Sequence, residues 1–570
     1  MVDVKNQSCY EYWLDCTDEY GEYYVMQHLG KKYYKSKMLS DIDALAAYMK
    51  IELGLKPGDV YTVFMPTTVQ SICAFYALNK VGVIVNFVHP LLPPNVLRET
   101  MTEVHSKGVM VLDLLIKDYA DVINEMNVPC LVCHSSEYAS LLKGFGCKLA
   151  EAAVKKIFPK IKKRDEYSKA VKRFSKANVK PSCNCDDIAV YLNGGGTTGK
   201  SKTIKLTSRA INELVCSVSK LGRIHRPGLE AEPIVLPLFH CFGLSVAVHM
   251  AMCNAGRLIP IMRFDAKMFN RLMRQNTVVG FVGIPVMFKK IMNEKHFDTK
   301  HLKNLRVVYC GGDDAPQSLI DEFNSYLEKY DAEGRLYQGY GLTEVGSVCC
   351  TNSNENHKSD TIGVPLENVN MQIWNEEHNE VPNGVIGEIV ISGPTIMSGY
   401  YTEDGEDDAG LYTDENGVKW VMSGDLGFRD DDGYFHFSGR KKRVIIISGY
   451  NVYPSDIEKR TQELDFVKDA CCVKGYKDSK QIIRMFVSFS KNGNEEEYKK
   501  QILDMIEKSF SKFSVPREII TLSELPQTPL MKTDFMRLTQ ETPDSPVYDE
   551  EKEKEKIKTK DCEKNIQAAS

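Results

Sequence analysis

The sequence predicts an α/β protein with one large domain, built of subdomains, and one smaller domain. At 570 residues, of which 43% are hydrophobic, the chain is too long for a single core. Residues 39–53 carry apolar side chains at helical spacing, and an apolar strand follows at about Val60. Strand-like and helix-like segments alternate as far as about Phe437, the order expected of an α/β fold.

The composition argues against several classes of protein. A formal net charge of -5 disfavours a general nucleic-acid binder, so no nucleic-acid partner is expected. Residues 1–8 lack the basic start and apolar core of a secretory signal. No apolar run reaches the roughly 18 residues that a transmembrane helix needs, and residues 81–88 indicate a buried strand instead. We therefore expect a cytoplasmic protein.

The seventeen cysteines are scattered and odd in number, which is typical of reduced cytosolic thiols. Cys130-Leu-Val-Cys133-His134 matches the attachment pattern of c-type haem, and with Cys147 and the cysteines near residue 184 it could form a zinc cluster. The alternative is a strand that ends at Cys133. We favour the strand, because haem attachment ordinarily needs export and no export signal is present.

The glycine-rich segment at residues 194–201 satisfies the pattern G-x-x-x-x-G-K-[ST] of P-loop nucleotide-binding proteins. That pattern works between a strand and a helix, because the helix N-terminus faces the phosphates. Residues 188–192 form a strand-like run, but residues 202–207 alternate like a second strand, and no helix starts before about Ser208. This context disfavours a P-loop and leaves either another kind of phosphate loop or a hairpin turn without a ligand.

Five segments, in order along the chain, resemble the motifs of the adenylate-forming (ANL) superfamily, and in particular those of acyl-CoA synthetases and coumarate-CoA ligases. They are residues 194–202, 337–344 (with Tyr-Gly-Leu-Thr-Glu), 423–427, 439–458 and 525–532. Any one motif could arise by chance, but the five together cover nearly the whole chain. The sequence departs from the family at Ser201, which replaces a proline, at residues 194–195, which replace a Ser/Thr pair, and at Met531, which replaces a glycine.

The resemblance implies a large N-terminal adenylation domain of several α/β subdomains, residues 1–438, and a small mobile α+β lid domain, residues 439–545. Residues 546–570 are rich in Lys and Glu and are expected to form a disordered tail. The implied reaction activates a carboxylic acid as an acyl-adenylate and then transfers the acyl group to a thiol. The implied cofactors are ATP, Mg²⁺ and coenzyme A.

The glycine-rich loop supplies the candidates for binding the ATP phosphates. Glycines let the backbone approach an anion, hydroxyl groups donate hydrogen bonds, and lysines add positive charge. The candidate residues are Thr197, Thr198, Gly199, Lys200 and Lys202.

The catalytic candidates follow from the charge of the reaction. Joining a carboxylate to the α-phosphate brings two anions together, so the site needs a metal ion, a lysine and hydroxyl donors. The resemblance implies that Glu344 holds Mg²⁺ and that Thr343 contacts the α-phosphate. It also implies that Lys532 is the mobile catalytic lysine, bridging the substrate carboxylate and the α-phosphate when the small domain closes.

The resemblance also implies a nucleoside site. Asp425 resembles the carboxylate that accepts hydrogen bonds from both ribose hydroxyls, and Arg440 its basic partner. Tyr340 offers a flat ring for the adenine, while Gly311 and Gly312 would let the base lie against backbone. The residues implied for adenosine are Gly311, Gly312, Asp313, Tyr340, Gly341, Asp425 and Arg440.

A hinge is implied at Lys442. Rotation there would exchange Lys532 for a face that carries Ser448 and Gly449, which opens a tunnel for coenzyme A.

The acid substrate is indicated by residues 236–243, which resemble the Pro-x-Phe-His-x-x-Gly segment of coumarate-CoA and fatty acyl-CoA ligases. In those enzymes the position of His240 borders the acyl pocket. Amino-acid-activating domains place an aspartate there to hold the substrate ammonium, so an amino acid is disfavoured. Apolar neighbours predict an aliphatic or aromatic acid of open chain length; they are Phe239, Phe242, Val282, Gly283, Ile284, Val345 and Val348.

Residues 143–180 contain thirteen Lys or Arg against three Asp or Glu and predict a basic helical insertion. A solvated surface helix is the main interpretation, and contact with an anionic membrane surface or an acidic acyl carrier protein is the alternative. For the whole chain, a coenzyme A ligase is the favoured function. A ligase that loads an acyl carrier protein and a non-catalytic nucleotide-binding scaffold or sensor remain as alternatives.

Overall fold

The computed structural model of the protein describes residues 3–140, 159–194, 202–221, 226–313, 315–405, 408–447, 450–477, 480–491, 493–528 and 533–540. The chain divides into two compact units. The first comprises Met1–Gly384, Ile389–Ser423 and Arg429–His436, and the second comprises Val385–Glu388, Gly424–Phe428 and Phe437–Ser570. Among the described helices, none has both the length and the apolar character needed to cross a membrane.

The strands lie at the following positions along the described chain. They are β1 (Tyr24–His28), β2 (Lys31–Tyr34), β3 (Val60–Phe64), β4 (Ile84–Phe87), β5 (Val109–Leu112), β6 (Cys130–Cys133), β7 (Arg164–Glu166), β8 (Ile188–Asn193), β9 (Thr203–Thr207), β10 (Glu230–Ile234), β11 (Arg257–Pro260), β12 (Thr277–Val278), β13 (Gly280–Gly283), β14 (Val307–Cys310), β15 (Leu336–Leu342), β16 (Ser347–Thr351), β17 (Val364–Pro365), β18 (Asn370–Trp374), β19 (Gly387–Ser392), β20 (Leu411–Thr413), β21 (Lys419–Arg429), β22 (Phe435–Arg440), β23 (Ile445–Ile447), β24 (Tyr450–Val452), β25 (Val467–Lys477), β26 (Lys480–Phe489) and β27 (Glu518–Thr521).

The α-helices of the same residues are α1 (Cys9–Cys16), α2 (Lys35–Ala47), α3 (Val69–Lys80), α4 (Pro94–Glu103), α5 (Ile116–Met126), α6 (Tyr167–Arg173), α7 (Ser208–Val218), α8 (Ala251–Cys253), α9 (Ala266–Gln275), α10 (Pro285–Met292), α11 (Gln317–Lys329), α12 (Pro454–Gln462), α13 (Glu495–Ser509) and α14 (Phe535–Gln540). A π-helical turn, Tyr48–Glu52, extends α2, so the helix predicted at residues 39–53 is confirmed. A second π-helical segment, Phe242–Met250, leads into α8.

A seven-stranded sheet in the first unit has the strand order β7-β6-β5-β3-β4-β8-β9 among the described residues. Its strands pair in parallel, except that β8 and β9 are antiparallel. β4, β5 and β6 are buried at every residue, as expected of parallel strands covered on both faces. The buried strands predicted near residues 81–88 and before Cys133 are therefore confirmed. All twelve residues of α3 are buried, with its N-terminus capped by Thr68.

The glycine-rich loop joins β8 to β9, and α7 begins only after β9. The predicted strand–loop–strand context is therefore confirmed, and the P-loop interpretation is excluded because no helix N-terminus follows the loop. Gly194 N donates to Lys202 O at 2.9 Å and closes the base of the hairpin.

Two further sheets complete most of the first unit. One has the order β12-β10-β11-β1-β2, and the other has the order β13-β14-β15-β16-β17. In the second of these, β13, β14 and β15 are parallel, whereas β16 runs antiparallel to β15. The carboxyl ends of three parallel strands thus lie at one edge.

The prediction that helices and strands alternate as far as Phe437 is wrong beyond α11. The described residues between 330 and 440 contain strands, with the order β18-β19-β21-β20 and β22 beside β21, and no α-helix. Short Asp-x-x-Gly turns connect these strands, because Gly417 N donates to Asp414 O and Gly433 N donates to Asp430 O, both at 3.0 Å. Both glycines have a positive φ, which favours such a turn over a helix.

The second unit contains a three-stranded sheet, β25-β26-β27, and a two-stranded sheet, β23-β24. β25 and β26 form a long antiparallel hairpin, and β27 lies parallel to β26. Helices α12 and α13 bury apolar side chains against the three-stranded sheet; the core includes Ile457, Ile483, Met485, Ile502 and Ile506. The α+β character predicted for the smaller domain is confirmed.

The structure describes residues 159–180 of the basic segment, and there it differs from an uninterrupted helical insertion. β7 extends the seven-stranded sheet beside β6, and α6 contributes seven helical residues. Ile161, Tyr167 and Ala170 are buried, because this strand and helix close the edge of the sheet. The lysines remain on the surface; they include Lys160, Lys162, Lys169, Lys172 and Lys176.

A cluster of buried charges lies at the carboxyl ends of β5, β6 and β7. His134 Nδ1 lies 2.6 Å from Asp113 Oδ2, and His134 Nε2 lies 2.8 Å from Glu166 Oε2. Burial alone lowers the pKa of His134, but its hydrogen bonds to the two carboxylates outweigh burial and raise the pKa to about 9. With both ring nitrogens engaged, His134 offers no lone pair to a metal ion.

We expect the free energy of unfolding to decrease as the pH rises from about 6.5 through 9, because the pKa of His134 is higher in the folded state than in the unfolded state. The contribution of His134 is complete below the unfolded pKa and is lost above the folded pKa. His134→Gln should remove this slope and cost about 3 kcal/mol at neutral pH, since Asp113 and Glu166 lose a buried cation.

Urea unfolding at several pH values measures this effect. His357→Gln, at an exposed histidine, is the matched control and should retain the slope. An equal slope in the wild type and in His134→Gln would contradict the assignment.

Gly341 sits at a bulge between β15 and β16. A Cβ at Gly341 would lie 1.7 Å from the carbonyl oxygen of Ser347, whereas the nearest atom to a Cβ at Gly339 would be Cγ2 of Val348, at 3.2 Å. We expect Gly341→Ala to destabilise the first unit by about 1–3 kcal/mol and Gly339→Ala by less. The reason is that the backbone carbonyl of Ser347 can shift less than the side-chain methyl group of Val348 to make room for the new Cβ. Differential scanning calorimetry compares the two variants, and equal shifts of the unfolding temperature would contradict this account.

Candidate functional site

The edge formed by the carboxyl ends of β13, β14 and β15 holds a large share of the predicted site, and in open α/β sheets ligands bind at such edges. Gly283 ends β13, and its carbonyl accepts a hydrogen bond from Gly311 N, just past β14, at 3.1 Å. Residues 340–344 form the end of β15 and the helical turn after it. The sheet therefore brings the predicted adenine, α-phosphate and metal-binding residues to one edge.

The backbone at residues 311–312 forms a wall without side chains. A Cβ at Gly311 would lie 3.1 Å from Gly339 O and 3.2 Å from Cε1 of Phe242. Gly312 has a φ of +79°, and a Cβ there would approach the Ile284 side chain at 3.5 Å. Asp313 follows and is exposed, and Tyr340 is half-buried. The exposed backbone at Gly312 suits a flat base such as adenine, and the assignment of these residues to adenine stays a prediction.

His240 lies in the turn between β10 and the π-helical segment Phe242–Met250. Thr67, which follows β3, anchors this turn through its hydroxyl group. That hydroxyl accepts a hydrogen bond from Leu238 N at 3.2 Å and donates one to Leu236 O at 3.4 Å. The position of His240 therefore depends on the seven-stranded sheet as well as on β10.

The same turn contacts the residues at the end of β15. A Cβ at Gly243 would lie 2.0 Å from Pro237 O, so the turn closes only because this residue is glycine. Cys241 Sγ donates to Thr343 Oγ1 at 3.5 Å. The residue after the predicted acid-pocket residue His240 therefore contacts the predicted α-phosphate residue Thr343.

Three rings lie in series at this turn. The ring centroids of His240 and Phe239 are 5.1 Å apart, and those of Phe239 and His89 are 4.5 Å apart. His89 Nδ1 accepts a hydrogen bond from Leu91 N at 3.0 Å, and burial lowers the pKa of His89, so its ring is neutral with the proton on Nε2. The sequence analysis missed His89, because a single histidine after a buried strand carries no spacing signal.

Tyr400 links the predicted metal ligand to the predicted phosphate-binding lysine. The Tyr400 hydroxyl donates to Glu344 Oε1 at 3.0 Å, and Lys202 Nζ lies 4.2 Å from the centre of the Tyr400 ring. Met397 N donates to the backbone carbonyl of Glu344 at 2.8 Å. Burial and the nearby Glu344 raise the pKa of Tyr400, so its hydroxyl remains protonated.

The segment that carries Tyr400 is paired with β9. Ser398 N donates to Lys205 O at 2.9 Å, Lys205 N donates to Gly399 O at 3.1 Å, and Tyr401 N donates to Thr203 O at 2.8 Å. The sequence analysis missed Tyr400, because nothing in its local spacing indicates that it contacts Glu344, 56 residues earlier.

The second unit contains the predicted ribose-binding pair. Asp425 is 1% exposed, and its Oδ1 lies 2.9 Å from Nε of Arg440, whose side chain is half exposed. Glu388 supports this region, because it accepts a hydrogen bond from Gly424 N at 2.9 Å and pairs with Lys441 at 2.8 Å. A buried carboxylate beside a partly exposed guanidinium suits a ligand with both hydroxyl and anionic groups.

Seven of the predicted site residues lie outside the described residues; they are Thr197, Thr198, Gly199, Lys200, Ser448, Gly449 and Lys532. Lys442 is exposed on the short helical turn Lys441–Arg443. A cavity of ≈ 410 Å³ elsewhere in the first unit is lined by residues such as Met371 and Arg429 and contains none of the predicted residues.

The cofactors that the resemblance implies fit the residues present. Mg²⁺ is commonly held by one or two carboxylates together with phosphate oxygens. Glu344 would supply the carboxylate, and Lys202, which contacts the same tyrosine, would supply positive charge near the phosphates. Gly312 is exposed and carries no side chain, so the backbone after β14 suits the base of ATP. The residues for coenzyme A lie outside the described residues.

Comparisons with known proteins identify the family of the chain. The model of the AMP-binding enzyme family matches residues 25–401, more than half of the chain, and the model of the AMP-binding enzyme C-terminal domain matches residues 456–532. A long-chain-fatty-acid–CoA ligase from Salmonella typhimurium is 24% identical over 530 residues, which cover 92% of each chain. A probable 4-coumarate–CoA ligase 3 from Dictyostelium discoideum is 27% identical over 487 residues, covering 83% of this chain and 84% of that one.

Among solved structures, a benzoate CoA ligase from Burkholderia xenovorans LB400 is similar, with a TM-score of 0.77 and 18% identity. The similarity covers 94% of this chain and 100% of that chain. The predicted fold class, with several α/β subdomains and a small C-terminal domain, is thereby confirmed. The chain belongs to the AMP-binding enzyme family of the adenylate-forming superfamily, and it is an AMP-forming acid–thiol ligase of the acyl-CoA synthetase type, a class that uses ATP, Mg²⁺ and coenzyme A.

Proposed function

We propose that the protein activates an apolar aliphatic or aromatic carboxylic acid with ATP and transfers the acyl group to coenzyme A. The observation that carries this proposal is the meeting of three features at one sheet edge: the glycine wall, the His240 turn and Glu344 with its link to Lys202. Similarity to a long-chain-fatty-acid–CoA ligase and to a probable 4-coumarate–CoA ligase supports the choice of apolar acids.

The environment of the proposed acid pocket is apolar. Phe242, Ile284 and Val348 are the nearest side chains to the glycine wall and to Gly339. His240 stands where a carboxylate would be needed to hold a substrate ammonium, and the neighbouring His89 is neutral because burial lowers its pKa. These features favour an acid without a charged amino group.

In the first proposed step, a carboxylate oxygen of the acid attacks the α-phosphorus of ATP, and the bond to pyrophosphate breaks. Thr343 Oγ1 accepts the hydrogen bond of Cys241, so its own proton is directed to another acceptor, which we propose is an α-phosphate oxygen. Glu344 would hold Mg²⁺, which neutralises charge on the phosphates when bound. Lys202 would contribute positive charge at the loop, and Lys532 would contact both reacting groups.

In the second proposed step, the thiolate of coenzyme A attacks the acyl carbon and AMP leaves. We infer that Lys442 is the hinge for this step and that Ser448 and Gly449 belong to the coenzyme A face. The proposed domains are residues 1–438 and 439–545, with a tail at 546–570. We further propose that the protein is cytoplasmic. An acyl carrier protein is the rival to coenzyme A as the acceptor of the acyl group. The basic segment, residues 143–180, would then contact either this carrier protein or a membrane surface.

Pyrophosphate release with ATP, Mg²⁺ and a panel of aliphatic and aromatic acids tests the function. We expect coenzyme A to accelerate release with at least one acid and a thioester to appear by mass spectrometry. Lys532→Ala should retain ATP binding while lowering adenylate formation, trapped as the hydroxamate, by about 100-fold or more, because a charge that stabilises the transition state is lost.

The other outcomes are also decisive. An adenylate that persists in the presence of coenzyme A would point to a carrier-protein acceptor. ATP binding without turnover of any acid would contradict the proposal and favour a nucleotide-binding scaffold or sensor.

Asp425→Asn should raise the KM for ATP about tenfold and change the KM for the acid much less, because an amide retains a single acceptor oxygen and no charge for Arg440. Steady-state kinetics of pyrophosphate release measure both constants. Asp432→Asn is the control, since Asp432 is an exposed aspartate that pairs with Lys358. Equal ATP constants in the two variants would argue against the ribose assignment.

A further inference from the structure

Tyr400 stands outside the motifs that the sequence analysis identified, yet it contacts two residues of the proposed site at once. Its hydroxyl donates to Glu344 Oε1 at 3.0 Å, and its ring lies beneath Lys202 Nζ, 4.2 Å from the ring centre. Glu344 follows β15, whereas Lys202 precedes β9 in a different sheet. The Tyr400 side chain therefore lies between the carboxylate of Glu344 and the ammonium of Lys202, and the proposed reaction needs these two charges at a fixed distance from each other.

The backbone of Tyr400 is held firmly in place. Tyr400 N donates to Ala409 O at 2.8 Å, and the residues on either side of Tyr400 pair with β9. The ring packs against Gly410, where a Cβ would lie 2.2 Å from a ring carbon. Gly410 also has a φ of +85°, so the chain reverses there without a side chain in the way. A ring seated in this way has little freedom to move its hydroxyl.

We propose that Tyr400 is a positioning residue, which orients the carboxylate of Glu344 toward the metal–nucleotide complex and holds the ammonium of Lys202 beside the phosphates. This inference rests on the proposed function of the same site. The hydrogen bond from Met397 N to Glu344 O agrees with this role, because the segment of residues 397–400 then holds Glu344 by its backbone as well as by its side chain.

The physical basis lies in the coordination of Mg²⁺, which demands near-octahedral geometry and tolerates a misplaced ligand poorly. A glutamate side chain is flexible, so a hydrogen bond to one oxygen fixes the direction of the other. Groups that hydrogen-bond a metal ligand typically contribute about 10–100-fold to metal affinity. For Lys202, the ring face offers an attractive surface that keeps the flexible lysine stem in place without neutralising its charge.

Tyr400→Phe is the informative variant, because it removes the hydroxyl and keeps the ring under Lys202. Binding of Mn²⁺, as a substitute for Mg²⁺, to the protein with a non-hydrolysable ATP analogue is measured by electron paramagnetic resonance. We expect about tenfold weaker metal binding in Tyr400→Phe, with metal-free binding of the analogue unchanged. In pyrophosphate release, a higher Mg²⁺ concentration should restore most of the lost activity, since the defect lies in the affinity for the metal.

Tyr401→Phe is the matched control. Tyr401 is the next residue, and its ring packs on the ring of Tyr191, with the two centroids 5.6 Å apart, in a separate hydrophobic cluster. Tyr401→Phe should therefore bind Mn²⁺ as the wild type does. Tyr400→Leu removes the ring as well, so it should weaken metal-free binding of the analogue a few-fold, whereas Tyr400→Phe should leave that binding unchanged. Thermal unfolding of each variant verifies that the fold is intact.

The outcomes separate this inference from the proposed function. Equal Mn²⁺ affinities in Tyr400→Phe, Tyr401→Phe and the wild type would overturn the role of Tyr400, while thioester formation in the same samples would leave the function standing. If the wild type bound the metal–nucleotide complex but turned over no acid, the proposed function would be contradicted. The comparison of Mn²⁺ affinities between the variants would still test the role of Tyr400. Failure of the wild type to bind the metal–nucleotide complex would overturn the inference.

Discussion

The backbone pairing between residues 398–401 and β9 is the constraint on which the arrangement of the site depends. β9 belongs to the seven-stranded sheet, whereas Glu344 follows β15 in another sheet. Because the paired segment also binds the backbone and the carboxylate of Glu344, it joins the two sheets at the point where phosphate charge would be neutralised. The spacing between Glu344 and Lys202 therefore depends on these main-chain hydrogen bonds.

Close approaches of glycine backbone shape the remaining walls of the site. Gly243 allows the His240 turn to close on Pro237, and Gly311 lets Phe242 and β15 come near the end of β14. Gly341 performs the same role where β15 bulges against β16. In each case a Cβ would meet a backbone or ring atom. The glycines are therefore needed because they lack a side chain, and not because their backbone is flexible.

Two groups of charged residues, one in each unit, differ in how far their cations are exposed. His134 lies between Asp113 and Glu166 at the carboxyl ends of β5, β6 and β7, and each ring nitrogen has a carboxylate partner. That cluster is closed and stabilises the sheet. Asp425, by contrast, is buried beside an Arg440 that is half exposed, so solvent reaches the cation of this pair. The two groups differ because His134 is buried and Arg440 is half exposed, whereas a buried aspartate is present in both.

The sequence by itself determined the α/β class, the hairpin around the glycine-rich loop, the family and the majority of the candidate residues, because motif spacing and strand alternation are local properties of the chain. Only the tertiary structure decided that the region from residue 330 to 440 is built of strands, that β7 closes the edge of a sheet, and that His89 and Tyr400 lie at the site. The physical reason is that these features depend on pairing between distant segments. Glu344 and Tyr400 are 56 residues apart and meet only because the 398–401 segment pairs with β9.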